Sequence, residues 1–131
     1  MQENPNCLTD EQLTYKIRGC VFNVYNKLGP GLLESIYEQA LMIELEKVGL
    51  NAKRQVAVPV EYEGQSLGIG FRVDILVEDK IIIELKAVKG LEPVHFMQLQ
   101  TYLNILNLSI GFLINFNTAH IDKDMVRVNR H

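Results

Sequence analysis

Apolar residues recur at three- and four-residue steps early in the chain, at Leu13, Ile17, Cys20, Val21, Val24 and Leu28. That spacing lines one face of a helix, and Thr9-Asp10-Glu11-Gln12 supplies a capping box at its start. Gly29 and Pro30 end it. A second arc, made by Leu33, Ile36, Tyr37, Ala40, Leu41, Leu45 and Val48, predicts a helix from about 32 to 48 that Gly49 closes. The period then drops to two: Val56, Val58, Val60 and Tyr62 alternate with Gln55, Ala57, Pro59 and Glu61. Pro59 has no N–H to give to a ladder, so this strand is expected at a sheet edge or with that position turned outward.

Glu63-Gly64-Gln65 is a turn candidate, and two more strands are expected at about 67–77 and 81–88. Phe96, Leu99, Leu103 and Leu106 then mark a helix over 93–106, followed by a buried strand over 109–116. Met125, Val126 and Val128 admit a short further strand in the tail. The order α-α-β-β-β-α-β implies an α/β fold with a mixed sheet, in which three strands form a meander and a helical crossover leads to the fourth.

The run from 70 to 87, GFRVDILVEDKIIIELKA, restricts its own pairing. Strict alternation puts Phe71, Val73, Ile75 and Val77 on one face and Arg72, Asp74, Leu76 and Glu78 on the other. In the next segment Ile81, Ile83, Leu85 and Ala87 oppose Ile82, Glu84, Lys86 and Val88. The two apolar faces coincide only with an odd loop such as Glu78-Asp79-Lys80, which sets Asp74 opposite Glu84. A two-residue turn would set Asp74 against Leu85 instead. The hydrophobic pattern therefore brings two carboxylates and Lys86 together. A solvated sheet face with ordinary surface charges is the plain alternative, but Leu76, Ile82 and Val88 make this face partly apolar, and covered charges need partners.

Composition narrows the function classes. With 131 residues, 47% hydrophobic and 22% charged, the chain is expected to form one domain over 1–131. A formal charge of −3 is not that of a protein that coats nucleic acid, so any phosphate contact must be local. Cys7 and Cys20 lack metal-site spacing, and Cys20 reads as a buried thiol. The polar N-terminus does not read as a signal peptide, and no apolar run is long enough to span a membrane, so a cytoplasmic location is expected. An exposed strand edge makes a homodimer plausible.

Gly31-Leu32-Leu33-Glu34-Ser35-Ile36-Tyr37 reads Gly-x-x-Glu-x-x-Tyr and resembles the naming motif of the GxxExxY protein family, which is grouped with the PD-(D/E)XK nuclease superfamily. Asp74, Glu84-Leu85-Lys86 and the pair Gln98 and Tyr102 resemble the superfamily's further elements in the same order, so the likeness covers about residues 10–117. Val73 stands where the superfamily pattern has proline. The resemblance implies a restriction-endonuclease-like core and Mg²⁺-dependent hydrolysis of DNA or RNA, with Mn²⁺ as a substitute. Asp74 and Glu84 are then the metal ligands, and Lys86 activates water and stabilises developing charge.

Glu34 falls within the apolar arc of its helix, which turns it inward and adds it to the metal site, in direct contact or through a bound water. The plain reading of Glu34 is a first-turn acid complementing the helix dipole. Gln98 and Tyr102 share a helical face that His95 approaches; Gln98 is positioned for a water or phosphate oxygen and Tyr102 to pack beneath, unless they are simply helix-surface and core residues. Lys53, Arg54, Arg72, Lys86 and Lys89 form a candidate phosphate-contacting rim, with Arg72 also able to pair with a carboxylate. A catalytically inactive binding or assembly module on the same fold is the second reading.

Overall fold

The computed structural model describes residues 8–131. Two helices come first, α1 (Asp10–Leu28) and α2 (Glu34–Lys47), followed by strands β1 (Ala52–Tyr62), β2 (Gln65–Val77) and β3 (Ile81–Lys86). Helix α3 (Pro93–Leu106) leads to β4 (Ile110–Asn115), and the tail adds β5 (Met125–Asn129). The five strands form one sheet in the order β1-β2-β3-β4-β5. β3 and β4 run parallel through the α3 crossover, and the other neighbours are antiparallel.

Each boundary has a local cause. The Thr9 side chain accepts from the Gln12 N–H at 3.1 Å, and Gln12 returns a bond to the Thr9 N–H at 2.9 Å, completing the expected capping box. Gly29 caps the other end of α1. Pro93 opens α3, where its missing N–H costs nothing. Between β2 and β3, Glu78 and Asp79 both take positive φ, and the Lys80 N–H closes the loop on the Val77 carbonyl at 2.9 Å. The ladder pairs Ile75 with Ile83, Leu76 with Ile82 and Val77 with Ile81. This is the odd-loop register that the apolar alternation demanded.

Two hydrophobic layers hold the sheet between the helices. Leu13, Ile17, Val21, Tyr37, Leu41 and Leu45 pack with Ile75, Val77, Ile81, Ile83, Leu85, Phe112 and Ile114 on one face. On the other, Leu99 and Leu103 of α3 pack with Val58, Val73, Ile82, Leu113 and Val128. Gly111 lets α3 approach, since a Cβ there would stand 3.0 Å from a Leu99 methyl. Burying each such aliphatic side chain contributes roughly 1.5–3 kcal/mol, so the central pair, β4 with all six residues buried and β3 with its first five, is the best-anchored part of the sheet. Cys20 is buried as expected, and burial first, with the Glu44 charge adding to it, pushes its thiol up to about 11. Cys7 lies outside the described residues.

Two expectations need correction. The buried face of α2 is Tyr37, Glu38, Leu41, Glu44 and Leu45, while Leu33 is 70% exposed and Ile36 and Val48 are also exposed. The helix is rotated toward its acids because both have cationic partners, Arg54 for Glu38 and Lys27 and Lys47 for Glu44. The second correction concerns β2. Phe71 and Val73 belong to the α3 layer and Ile75 and Val77 to the α1/α2 layer, so the strand changes faces at Asp74. β1 does the same: Ala52 packs with the α1/α2 layer and Val56 and Val58 with the α3 layer.

Candidate active site

The β2–β3 ladder ends at Ile75 and Ile83, and the next pair completes it with side chains. The Asp74 N–H donates to Glu84 Oε1 at 3.0 Å, and the Leu85 N–H donates to Asp74 Oδ2 at 2.8 Å. Each carboxylate thus accepts from a backbone N–H of the opposite strand just where the backbone ladder stops. Two acids are held between two strands by the backbone itself.

Electrostatics makes this arrangement costly while both acids are charged. Burial raises the Asp74 pKa; the Leu85 hydrogen bond works against that shift, while the charges of Glu38 and Glu34 add to it. Glu84 is only 6% exposed, and burial, then the Asp74 charge, pushes it up to about 8, with Lys86 opposing. A desolvated carboxylate beside a second one retains its proton because two like charges in a poorly solvated site repel. Among the described residues neither acid has an ion-pair partner.

Lys86 lies two residues after Glu84 on β3, is half-buried, and makes no ion pair among the described residues. Alternation places it on the same strand face as Glu84. Tyr102 of α3 stacks on Phe71 with ring centroids 4.0 Å apart, and its hydroxyl pKa is raised by burial first and then by Glu84 and Asp74. It therefore borders the acids as expected. Gln98, one turn earlier, is exposed and has no hydrogen bond among the described residues. His95 Nδ1 accepts from the Glu92 N–H at 2.9 Å and so serves the start of its own helix.

Glu34 is exposed, against the expectation that it turns inward. Glu34 is on the same helical face as Glu38 and Leu41 but is the first residue of α2, in its exposed opening turn, where its Oε1 accepts from the Ala87 N–H at 3.1 Å, one residue beyond Lys86. The rest of its motif is structural. Gly31 has φ +98°, and the buried Tyr37 donates to the Gly29 carbonyl at 2.6 Å, accepts from the Leu32 N–H at 3.1 Å and stacks on Phe116. The proposed rim also thins: Lys53 pairs with Asp79 and Arg54 with Glu38, while Arg72 donates to the Gln55 carbonyl at 3.3 Å rather than to an acid. Lys86, Lys89 and Arg72 are left. Lys89 and His95 line a cavity of about 400 Å³ in the loop that follows β3.

Sequence reading passed over Glu38. It is 5% exposed, and its carboxylate holds Arg54 and Gln55 on β1, beside Asp74. Its position four residues after Glu34 was the available signal, because the two share a helical face.

The acids fit a hard divalent cation in chemical type: carboxylate oxygens from adjacent strands, withdrawn from water, with no cation paired to them among the described residues. Among the described residues no three His, Cys, Asp or Glu side chains gather into a ligand group. Glu34 meets the end of β3 at the Ala87 N–H, and its charge reaches Asp74. Mg²⁺ typically keeps several waters and takes one or two carboxylates, so a pair suffices.

No helix among the described residues is long and apolar enough to cross a membrane. Comparison with curated proteins and with solved structures gives no match. A family model described as the PD-(D/E)XK nuclease superfamily matches residues 11–128, from the first turn of α1 to β5. The match spans both helical layers, the whole sheet and the two acids, and the chain belongs to the PD-(D/E)XK nuclease superfamily.

Proposed function

We propose that this chain is a divalent-metal-dependent nuclease of the GxxExxY kind, hydrolysing phosphodiester bonds of DNA or RNA. The observation that carries the reading is the pair of half-buried Asp74 and buried Glu84 between strands, raised in pKa and without an ion-pair partner among the described residues. Such a pair is stabilised by a bound Mg²⁺ or Mn²⁺, which when present polarises the phosphoryl oxygens and makes water a better nucleophile. Asp74 and Glu84 hold the ion. Lys86, on the Glu84 strand face, orients the attacking water and, as an ammonium group, offsets charge developing on the phosphate. Glu34 sits outside the pair at the end of β3, in place to hold a water at the rim. Gln98, exposed on the same helical face as Tyr102, meets the substrate backbone rather than the ion. Arg72 and Lys89 are the remaining cations able to steer a phosphate chain, which suits a protein whose overall charge is negative.

A cleavage assay on single- and double-stranded DNA and RNA with Mg²⁺ or Mn²⁺ tests this. The expected result is cleavage by the wild type, lost in Lys86→Ala although the metal still binds. Absence of both cleavage and metal-linked stabilisation in the wild type would instead assign the fold to binding or assembly.

A further inference from the structure

β1 and β2 change faces at the same level. Gln55, in the middle of β1, has φ +53°, a conformation that residues with a side chain rarely adopt, least of all inside a strand. The β1–β2 register pairs Arg54 with Ile75 and Val56 with Val73 and leaves out the step between them, where Gln55 and Asp74 stand opposite each other. On either side of that step the strands point their apolar side chains to opposite layers. The face change is what separates Asp74 from the regular ladder and leaves its carboxylate free to meet the Leu85 N–H.

One side chain from another element grips this point. Glu38 Oε1 accepts from Gln55 Nε2 at 2.7 Å, and Oε2 accepts from Arg54 Nε at 3.1 Å and Nη2 at 3.0 Å. Arg72 adds a bond from the other strand to the Gln55 carbonyl. A buried carboxylate needs such partners, but these two are consecutive residues at the one position of β1 with positive φ. We propose that Glu38 is a positioning residue: by clamping Arg54 and Gln55 it holds the left-handed backbone at Gln55, and so fixes the Asp74 carboxylate against β3. Its consequence for catalysis rests on the nuclease reading; the positioning itself does not.

The test reads the position of Asp74 in metal-free protein through the Leu85 amide, by its ¹⁵N–¹H shift and hydrogen-exchange rate, with Asp74→Ala giving the value for the lost bond. Glu38→Ala is expected to speed exchange at Leu85 about tenfold or more toward that value while the Val77 and Ile83 amides stay slow. Glu38→Gln, which keeps an acceptor for Gln55, retains most of the protection. A second pair of variants leaves the Glu38–Arg54 bridge in place. Gln55→Ala, with its side chain too short for the clamp, is expected to lose protection at Leu85. Gln55→Gly, which takes positive φ freely, is expected to keep it and to restore it in the Glu38→Ala background. Wild-type behaviour of Leu85 in Glu38→Ala or in Gln55→Ala overturns the proposal, as does equal loss in Gln55→Ala and Gln55→Gly. A wild type that binds no metal and cleaves nothing counts against the nuclease reading alone, because the amide readout uses neither.

Discussion

Glu38 and Glu44 on α2 and Asp74 and Glu84 on the sheet are all withdrawn from water, but the chain compensates the two sets differently. Glu44 lies against Lys27 at 3.2 Å and Lys47 at 3.9 Å, and Glu38 against Arg54 at 3.0 Å. Asp74 and Glu84 receive backbone N–H groups and each other. Glu78, the remaining buried acid among the described residues, accepts the Asn51 N–H and stands alone, whereas Asp74 and Glu84 bring two carboxylates to one place with only N–H groups to offset them, so the pair is where an added cation gains most. The contrast with Glu38 and Glu44 singles out the pair by two carboxylates set side by side without a cation among the described residues, without appeal to motif.

The largest effect expected from that contrast is on activity. Asp74→Ala and Glu84→Ala should each lower cleavage by roughly 10³-fold or more, the scale of losing an electrostatic stabiliser of the reaction. Metal-linked thermal stabilisation should vanish with it. Lys86→Ala should match the loss of cleavage but keep the stabilisation.

Next comes the pH dependence of the metal-free protein. Glu84 in the folded chain sits near 8 rather than at its ordinary 4.5, so between those values the folded state holds a proton that the unfolded state has released. Stability from this group is full below about pH 4.5 and is lost as pH rises through about 8. Chemical denaturation at pH 5.5 and 8.5 should show the decline. Glu84→Gln should flatten it and stabilise the metal-free protein at pH 8.5 by on the order of 2 kcal/mol, since each unit of pKa shift is worth about 1.4 kcal/mol before relaxation. A wild type that grows more stable across this window would break the comparison from the sheet side.

Glu44→Ala tests the helix side. Its partners Lys27 and Lys47 are exposed, so the loss leaves no buried cation and should cost only about 1 kcal/mol, with metal response and cleavage unchanged. Glu34→Ala should do least to stability, and a cleavage loss of about tenfold or less fits a rim residue that touches the end of β3.

Much of this was legible in the sequence because hydrophobic alternation leaves few choices. Once Ile81, Ile83 and Leu85 had to face the same layer as Ile75 and Val77, the loop length followed, and Asp74 came opposite Glu84. The α3 boundaries were equally visible in spacing, while β5 was only admitted by it and lay outside the expected element order. The face change at Asp74 was not, because Val73 and Ile75 are alike as residues and only tertiary packing assigns them to different layers. The same limit concealed Glu38. Helical periodicity ranked it as a polar position, and its burial depends on Arg54 and Gln55, which approach it from a strand far along the chain. Glu34 was placed inward by the same periodicity, which gives the direction of a side chain but not its depth, and it is exposed because it opens α2 in a turn that no layer covers.

The central claim is that Asp74 and Glu84 jointly hold one divalent cation. Calorimetric titration of Mn²⁺ into metal-free wild type, Asp74→Asn and Glu84→Gln at pH 7.5 tests it most directly. The account predicts a one-site isotherm for the wild type, accompanied by proton release as the pair gives up its proton, and loss of that isotherm in either variant. An isotherm that survives both substitutions, or a wild type that takes up no ion, would contradict it.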